Sequence, residues 1–265
     1  MASEESYPKL ISLAVHELRS PASVVSGYLR MLQRDTETPL SDRQRKMVDE
    51  AEKSCTRLVA LIAALSEVGK IDDGQVTMSS KNTDVFSLVA EVAKGVHEAG
   101  EREVVLEVRG QSVGAVVACD EDRLRAAFDA VFHAILREKA GPCTVVADRR
   151  LVKDGTRSSA VIVIADESTV QTAYDAPPGS FDEKRGGVGL SLAIARRVIE
   201  AHGGRIWSPA YAKGSGAAGP VDAKGSGAAG PVDAKGPGAE VAAGLGEFDE
   251  RAARGTALIA LPLRS

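Results

Sequence analysis

From Ile11 the apolar positions recur at Ala14, Leu18, Pro21, Val25, Tyr28 and Leu32, alternating steps of three and four that put them on one stripe of a long helix. Val48, Ala51, Cys55, Leu58, Ile62 and Leu65 repeat the rhythm, and Ser41-Asp42-Arg43-Gln44 just ahead fits a capping box behind Pro39. The connection Asp35–Pro39 is short enough to turn the second helix antiparallel, so the pattern predicts an αα-hairpin. A lone hairpin buries too little surface to offset its ordering entropy, and its stripes need a partner. A second copy, giving a four-helix bundle as a homodimer, is the simplest expectation; packing on the rest of the chain is the alternative.

Gly69-Lys70-Ile71-Asp72-Asp73-Gly74 breaks the rhythm and reads as a hinge, dividing the chain into residues 1–70 and 71–265. Beyond it the period changes. Strands are expected at Gln75–Ser80, Glu103–Arg109, Ala115–Cys119, Cys143–Leu151, Ala160–Ala165, Arg205–Ser208 and Thr256–Leu263. Helices are expected at Asp84–Ala99, Glu121–Glu138 and Leu190–His202. A turn at Lys153-Asp154-Gly155-Thr156 makes a hairpin of the central strands. The expected architecture is an α helical hairpin followed by an α+β sandwich, a largely antiparallel sheet with helices on one face.

One stretch fits neither domain. Ala212–Asp222 recurs letter for letter at Ala223–Asp233 and begins a third time at Ala234-Lys235-Gly236. Its Gly, Ala and Pro content cannot build a core, so Pro209–Arg254 is expected to be a flexible surface insertion. That segment holds 10 of the 26 glycines and 4 of the 11 prolines, which makes the glycine excess of the chain local.

Composition narrows the function classes. Thirty-three basic against 37 acidic side chains give a net charge of -4, without the basic excess that nucleic-acid binding needs. The three cysteines, Cys55, Cys119 and Cys143, offer neither a disulfide framework nor a metal-ligand pair, and a reducing cytoplasm is expected. No apolar run approaches the ~18 residues that span a bilayer, so no direct membrane span is expected.

Chemistry enters at His16. With Ile11 as heptad position a, His16 falls at f and faces solvent, beside Glu17 as a proton acceptor and ahead of Pro21, which removes a backbone donor from the helix. His16-Glu17-Leu18-Arg19-Ser20-Pro21 resembles the phosphoacceptor motif of the sensor histidine kinases of two-component signalling. The resemblance implies that His16 accepts a phosphoryl group, that Glu17 acts as its base, and that the hairpin is the dimerisation and histidine-phosphotransfer domain. Ser20, four residues on, stands where the family's phosphatase activity orients water.

The resemblance extends to the family's Bergerat-type ATP-binding domain. Gly186-Gly187-Val188-Gly189-Leu190 before a helix resembles its second glycine box, where glycines let backbone amides approach phosphate and the helix N-terminus faces the anion. Gly187, Gly189 and Leu190 are then nucleotide-binding candidates. Gly255–Pro262 resembles the closing strand. In the box that reads Asn-x-x-x-Asn-Ala-x-Lys in the family, this chain has Asp129, His133 and Leu136. Asp129 and His133, one helical turn apart, are the candidate ligands for Mg²⁺, a cation that prefers oxygen. Asp166-Glu167-Ser168-Thr169-Val170 stands at the first glycine box with both glycines replaced, and Asp166 would recognise the adenine amino group.

Implied cofactors are ATP and Mg²⁺, and implied partners a second copy and a response-regulator receiver domain. Three readings follow. The first is a kinase moving phosphate from ATP to His16 and on to a receiver aspartate. The second is a nucleotide-impaired pseudokinase acting as a histidine phosphotransferase or phosphatase. The third is a non-enzymatic dimeric scaffold that binds a receiver domain or a partner kinase.

Overall fold

The computed structural model of the protein describes residues 6–96, 102–155, 157–211 and 248–264. Helices α1 (Ser6–Arg34) and α2 (Asp42–Asp72) form the expected hairpin, with α1 continuous through Pro21. The turn closes on Asp35, whose carboxylate accepts the Thr38 hydroxyl at 2.6 Å and the backbone N–H groups of Glu37 and Thr38. The Thr38 hydroxyl, then the two backbone donors, hold the Asp35 carboxyl below its ordinary range. Ser41 and Gln44 complete the predicted capping box at the start of α2.

Within one chain the helices meet along Ile11, Val15 and Ala22 of α1 and Ile62 and Leu65 of α2. The expected α1 stripe lies only partly on this face: Leu18, Val25, Tyr28 and Leu32 are exposed. The reason is that α1 carries two adjacent apolar stripes sharing Ile11, and the narrower one takes the contact with α2. The hinge also moves. α2 continues through Gly69, and the chain first turns at Gly74, with φ +65°. Gly69 lies within the helix and lets Ile11 approach closely: a Cβ there would lie 3.1 Å from Ile11 Cγ2.

The second domain opens with β1 (Lys81–Asp84), which pairs antiparallel with β3 (Val116–Cys119). The strand expected at Gln75–Ser80 is not formed. Its alternating Val76 and Met78 find no partner strand, while the next four residues find β3; Ser79 is held instead by its N–H on the Asp120 carboxylate at 3.1 Å. Asp84 caps α3 (Val85–Gly95), which is shorter than expected, with residues 97–101 outside the described set.

The remaining strands are β2 (Val104–Gly110), β4 (Cys143–Asp154), β5 (Arg157–Asp166), β6 (Pro178–Gly179), β7 (Arg205–Pro209) and β8 (Ala257–Pro262). They form one sheet in the order β2-β4-β5-β8-β7-β6, antiparallel throughout except for the parallel pair β2 and β4. The hairpin joining β4 and β5 turns at Gly155, φ +57°, as the sequence predicts.

Against one face of the sheet pack α3, α4 (Glu121–Arg137) and α6 (Ser191–Ala201). The fully buried Phe86, Phe128, Leu124 and Ile199 meet Val145, Ile162, Ile164 and Ile259 there. Helices are not confined to that face. Val146, Val163 and Leu258 point the other way and collect a smaller core with Val170 and Ala173 of α5 (Val170–Ala173), Phe248, and Ala253 of α7 (Glu250–Arg254). The alternation of apolar residues on both faces of β4, β5 and β8 makes this second layer necessary. The expected insertion therefore narrows: Pro209 belongs to β7, Tyr211 bridges to Phe248, and Glu250–Arg254 is helical. The tandem repeats, within 212–247, lie outside the described residues.

The hairpin joins the second domain through the last turns of α2. Arg123 of α4 pairs with Glu67, and Arg197 of α6 with Asp72 at 2.8 Å. Among the described residues no helix is long and apolar enough to cross a membrane.

Candidate functional site

His16 stands on the outer face of α1 with 84% of its side chain exposed, and Glu17 Oε1 lies 3.6 Å from its Nδ1. Ser20, one turn further, is also exposed. The helix turns its apolar stripes inward or sideways and leaves the imidazole accessible to a partner. The Glu17 carboxylate stands on the Nδ1 side of the ring, beyond hydrogen-bond length.

The nucleotide candidates are not brought together. Asp129 and His133 line a cavity of ≈ 500 Å³ between α2, α4 and α6, with Glu67, Arg123 and Val188. Asp166 lines a different one of ≈ 880 Å³, with Lys139, Thr169 and Gly255. Gly186 sits between them on the backbone of α4: a Cβ there would lie 2.5 Å from Ala134 Cα and from its carbonyl oxygen. Gly186, Gly187 and Gly189 all have φ near +60° (+64°, +60° and +66°), a conformation that glycine takes without strain. Gly189 faces α2, with Leu61 3.7 Å from where its Cβ would be, and Leu190 caps α6 without a side-chain hydrogen bond.

Two residues that motif reading passed over shape this region. Lys139, 9% exposed, follows α4 and places Nζ 2.7 Å from Asp166 Oδ1 and 3.5 Å from the Gly255 carbonyl oxygen. Arg185, 3% exposed, donates to the carbonyls of Arg254 and Thr256 at 2.7 and 3.0 Å and to Ser208 Oγ at 2.6 Å, and lies 4.6 Å from the centre of the Phe181 ring. Burial lowers the Arg185 pKa, as burial does for a cation. Burial also raises the Glu138 carboxyl, which accepts the Gly186 N–H at 3.3 Å and faces Arg185. The only available signals were a lysine one residue past a helix end and an arginine against a glycine run, neither of which has a period.

Residues 9–74 match the model of the His Kinase A (phospho-acceptor) domain. The match takes in nearly all of the hairpin. His16, Glu17 and Ser20 all fall inside it. Most of the chain is similar to sensor histidine kinases. It is 26% identical over 217 residues to the sensor protein FixL of Bradyrhizobium diazoefficiens, covering 78% of this chain and 41% of that protein. It is also 26% identical to the probable sensor histidine kinase TcrY of Mycobacterium tuberculosis, covering 80% and 46% respectively. The chain thus spans less than half the length of these relatives. The crystal structure of full-length ShkA in complex with AMPPNP shares the fold of the His Kinase A hairpin and the sandwich behind it, with a TM-score of 0.58 and 18% identity over 97% of this chain and 45% of that one.

In this arrangement the candidate nucleotide residues of the second domain contact one another or lie in the core. Asp166 Oδ1 lies 2.7 Å from Lys139 Nζ as an ion pair, without a hydrogen bond of good geometry. His133 Nδ1 turns back on Asp129, 2.9 Å from its carbonyl oxygen and 3.3 Å from Oδ2, so both candidate metal ligands face each other. Leu136, at the position of the family's phosphate-binding lysine, is 1% exposed in the core.

Proposed function

We propose that this chain is a histidine phosphotransfer module of two-component signalling. His16 takes a phosphoryl group from a phosphorylated receiver aspartate and passes it to another, and the second domain acts as a scaffold instead of an ATP source. The observation that carries the reading is the exposed imidazole of His16 with the Glu17 carboxylate at its Nδ1. Nε2 attacks phosphorus of the aspartyl phosphate; the N–P bond forms as the acyl O–P bond breaks, and the aspartate leaves as a carboxylate. Glu17 stabilises the proton held at Nδ1 while positive charge develops on the ring, and takes it up if the ring releases it. Ser20 can orient water toward the phosphoimidazole, giving a phosphatase side reaction. The outward stripe of α1 supports a homodimer through the hairpin.

A second reading, autophosphorylation from ATP, is favoured by one feature. The left-handed glycines 186, 187 and 189 lead directly into the uncapped N-terminus of α6, an arrangement suited to a phosphate. The deciding experiment offers ³²P to wild type and His16→Ala in two forms: γ-labelled ATP with magnesium, and receiver domains labelled with acetyl phosphate. Acid-labile label on wild type only, from the receivers only, is the expected result. Label from ATP that depends on His16 establishes the kinase. Label from neither source overturns both phosphoryl-transfer readings and leaves the scaffold.

A further inference from the structure

The face of α1 that carries His16 is built of hydrogen-bond donors. At ~100° per residue, Lys9, Ser12, Leu13, Arg19, Ser20 and Ser23 lie within about 60° of His16 around the helix, and all six are exposed. Every one but Leu13 has a side-chain donor, and two are cations. Ser23 Oγ is already spent on the Arg19 carbonyl oxygen at 2.9 Å. Glu17 is the only carboxylate of the helix, Ser6–Arg34, and it stands to one side, about 100° round from His16.

Side chains on a helix lean toward its N-terminus. Arg19, just under a turn after His16, leans back over the imidazole; the imidazole leans over Ser12, with Lys9 two turns ahead of it on the same side. A phosphoryl group on Nε2 is carried over Ser12 and into the span between the two cations. It brings about -2 charge and three strong acceptor oxygens, and Lys9 and Arg19 match that charge. The other cations of α1, Arg30 and Arg34, lie about four turns or more away, and Arg30 is paired with Glu52 at 3.8 Å.

We propose that Lys9, Ser12 and Arg19 form a subsite that holds the phosphoryl group on His16. The inference rests on the phosphotransfer reading and adds these three residues to it. Arg19 offers a planar fork of N–H donors to two phosphoryl oxygens, Ser12 donates its hydroxyl to the third, and Lys9 supplies a point charge. None of them makes or breaks a bond. They neutralise charge where it arrives as the phosphoryl group moves from the receiver aspartate to the ring.

Phosphoramidate loads histidine without any receiver: a ring nitrogen attacks phosphorus, the new N–P bond forms as the bond to ammonia breaks, ammonia leaves, and the surplus ring proton passes to solvent. In the loaded full chain, which has four histidines, phospho-His16 is the ³¹P resonance missing from His16→Ala. Its phosphoryl titration midpoint, read at low salt, is expected to rise by at least about half a pH unit in Lys9→Gln/Arg19→Gln, since even in water one cation about 6 Å away favours the dianion by that order. Lys9→Arg/Arg19→Lys should keep the midpoint. If circular dichroism shows that the glutamine variant has lost its helices, Ser12→Asp, which sets a carboxylate in the same place, carries the same expectation of a rise. An unchanged midpoint in the folded variants, or an equal rise in Lys9→Arg/Arg19→Lys, overturns the subsite and leaves phosphotransfer at His16 standing. Loading of other histidines without His16 overturns the subsite together with the reading on which it rests.

Discussion

Lys139 meets Asp166 across 27 positions of sequence. The ammonium is nearly buried while the carboxylate keeps 35% of its side chain exposed, so the pair lies between the surface case, worth little, and the buried case, costly to break. Lys139→Met leaves Asp166 facing a cavity without its cation. Urea denaturation is expected to show a loss of about 2 kcal/mol, below the full cost of breaking a buried pair because water still reaches the carboxylate. Lys139→Met/Asp166→Asn should recover part of that loss, since it removes the orphaned charge. At the other site, Glu17→Gln keeps the size of the side chain and removes its charge. The initial rate of label transfer from a phosphorylated receiver is expected to fall roughly a hundredfold, the low end of what a positioned proton acceptor contributes. An unchanged rate would assign the work to the imidazole alone.

At the scale of elements, Asp120 joins three parts of the second domain. It caps α4 through the Arg123 N–H at 3.2 Å, holds the incoming chain at Ser79, and donates its own N–H to His202 Nε2 at 2.9 Å. Burial pushes its carboxyl up, but the backbone donors of Ser79 and Arg123 and the nearby cationic charge outweigh it and hold the group below its ordinary value. A carboxyl depressed in the folded state contributes stability above its unfolded pKa of about 3.9 and loses it as pH falls through the folded value. Asp120→Ala is expected to cost about 1 kcal/mol at neutral pH and to flatten the decline in stability below about pH 4, measured by urea midpoints across pH.

The same connections show where sequence reading stops. The hairpin, α4, α6 and the β4–β5 turn were legible because period, cap and turn residues are local. β1 and the end of α2 were not: Val76 and Met78 alternate like a strand but lack a neighbour, and Gly69 looks like a breaker until Ile11 packs on it. His16 was legible from six consecutive residues, whereas the second site depends on Lys139 reaching Asp166 and Arg185 reaching Thr256, contacts without any sequence signal.

For the molecule as a whole, the decisive surface is the outer stripe of α1. Leu18, Val25, Tyr28 and Leu32 continue the three-four rhythm from Ile11, yet all four are exposed in a single chain, Tyr28 by 63%. The inner stripe is satisfied by α2, so the outer one has no intramolecular use, and burying each such side chain is worth roughly 1.5–3 kcal/mol. A two-fold pairing of hairpins places the same stripe from both copies in one core, so each substitution acts twice. Val25→Glu/Leu32→Glu then sets four carboxylates in that core, a cost that exceeds the gain from the remaining contacts. Sedimentation velocity is expected to find a dimer for wild type and a monomer for the double variant, with the helical signal of the second domain retained because α4 and α6 do not touch the stripe. A variant that remains dimeric would move the interface elsewhere, and a wild type that is monomeric at micromolar concentration would remove it.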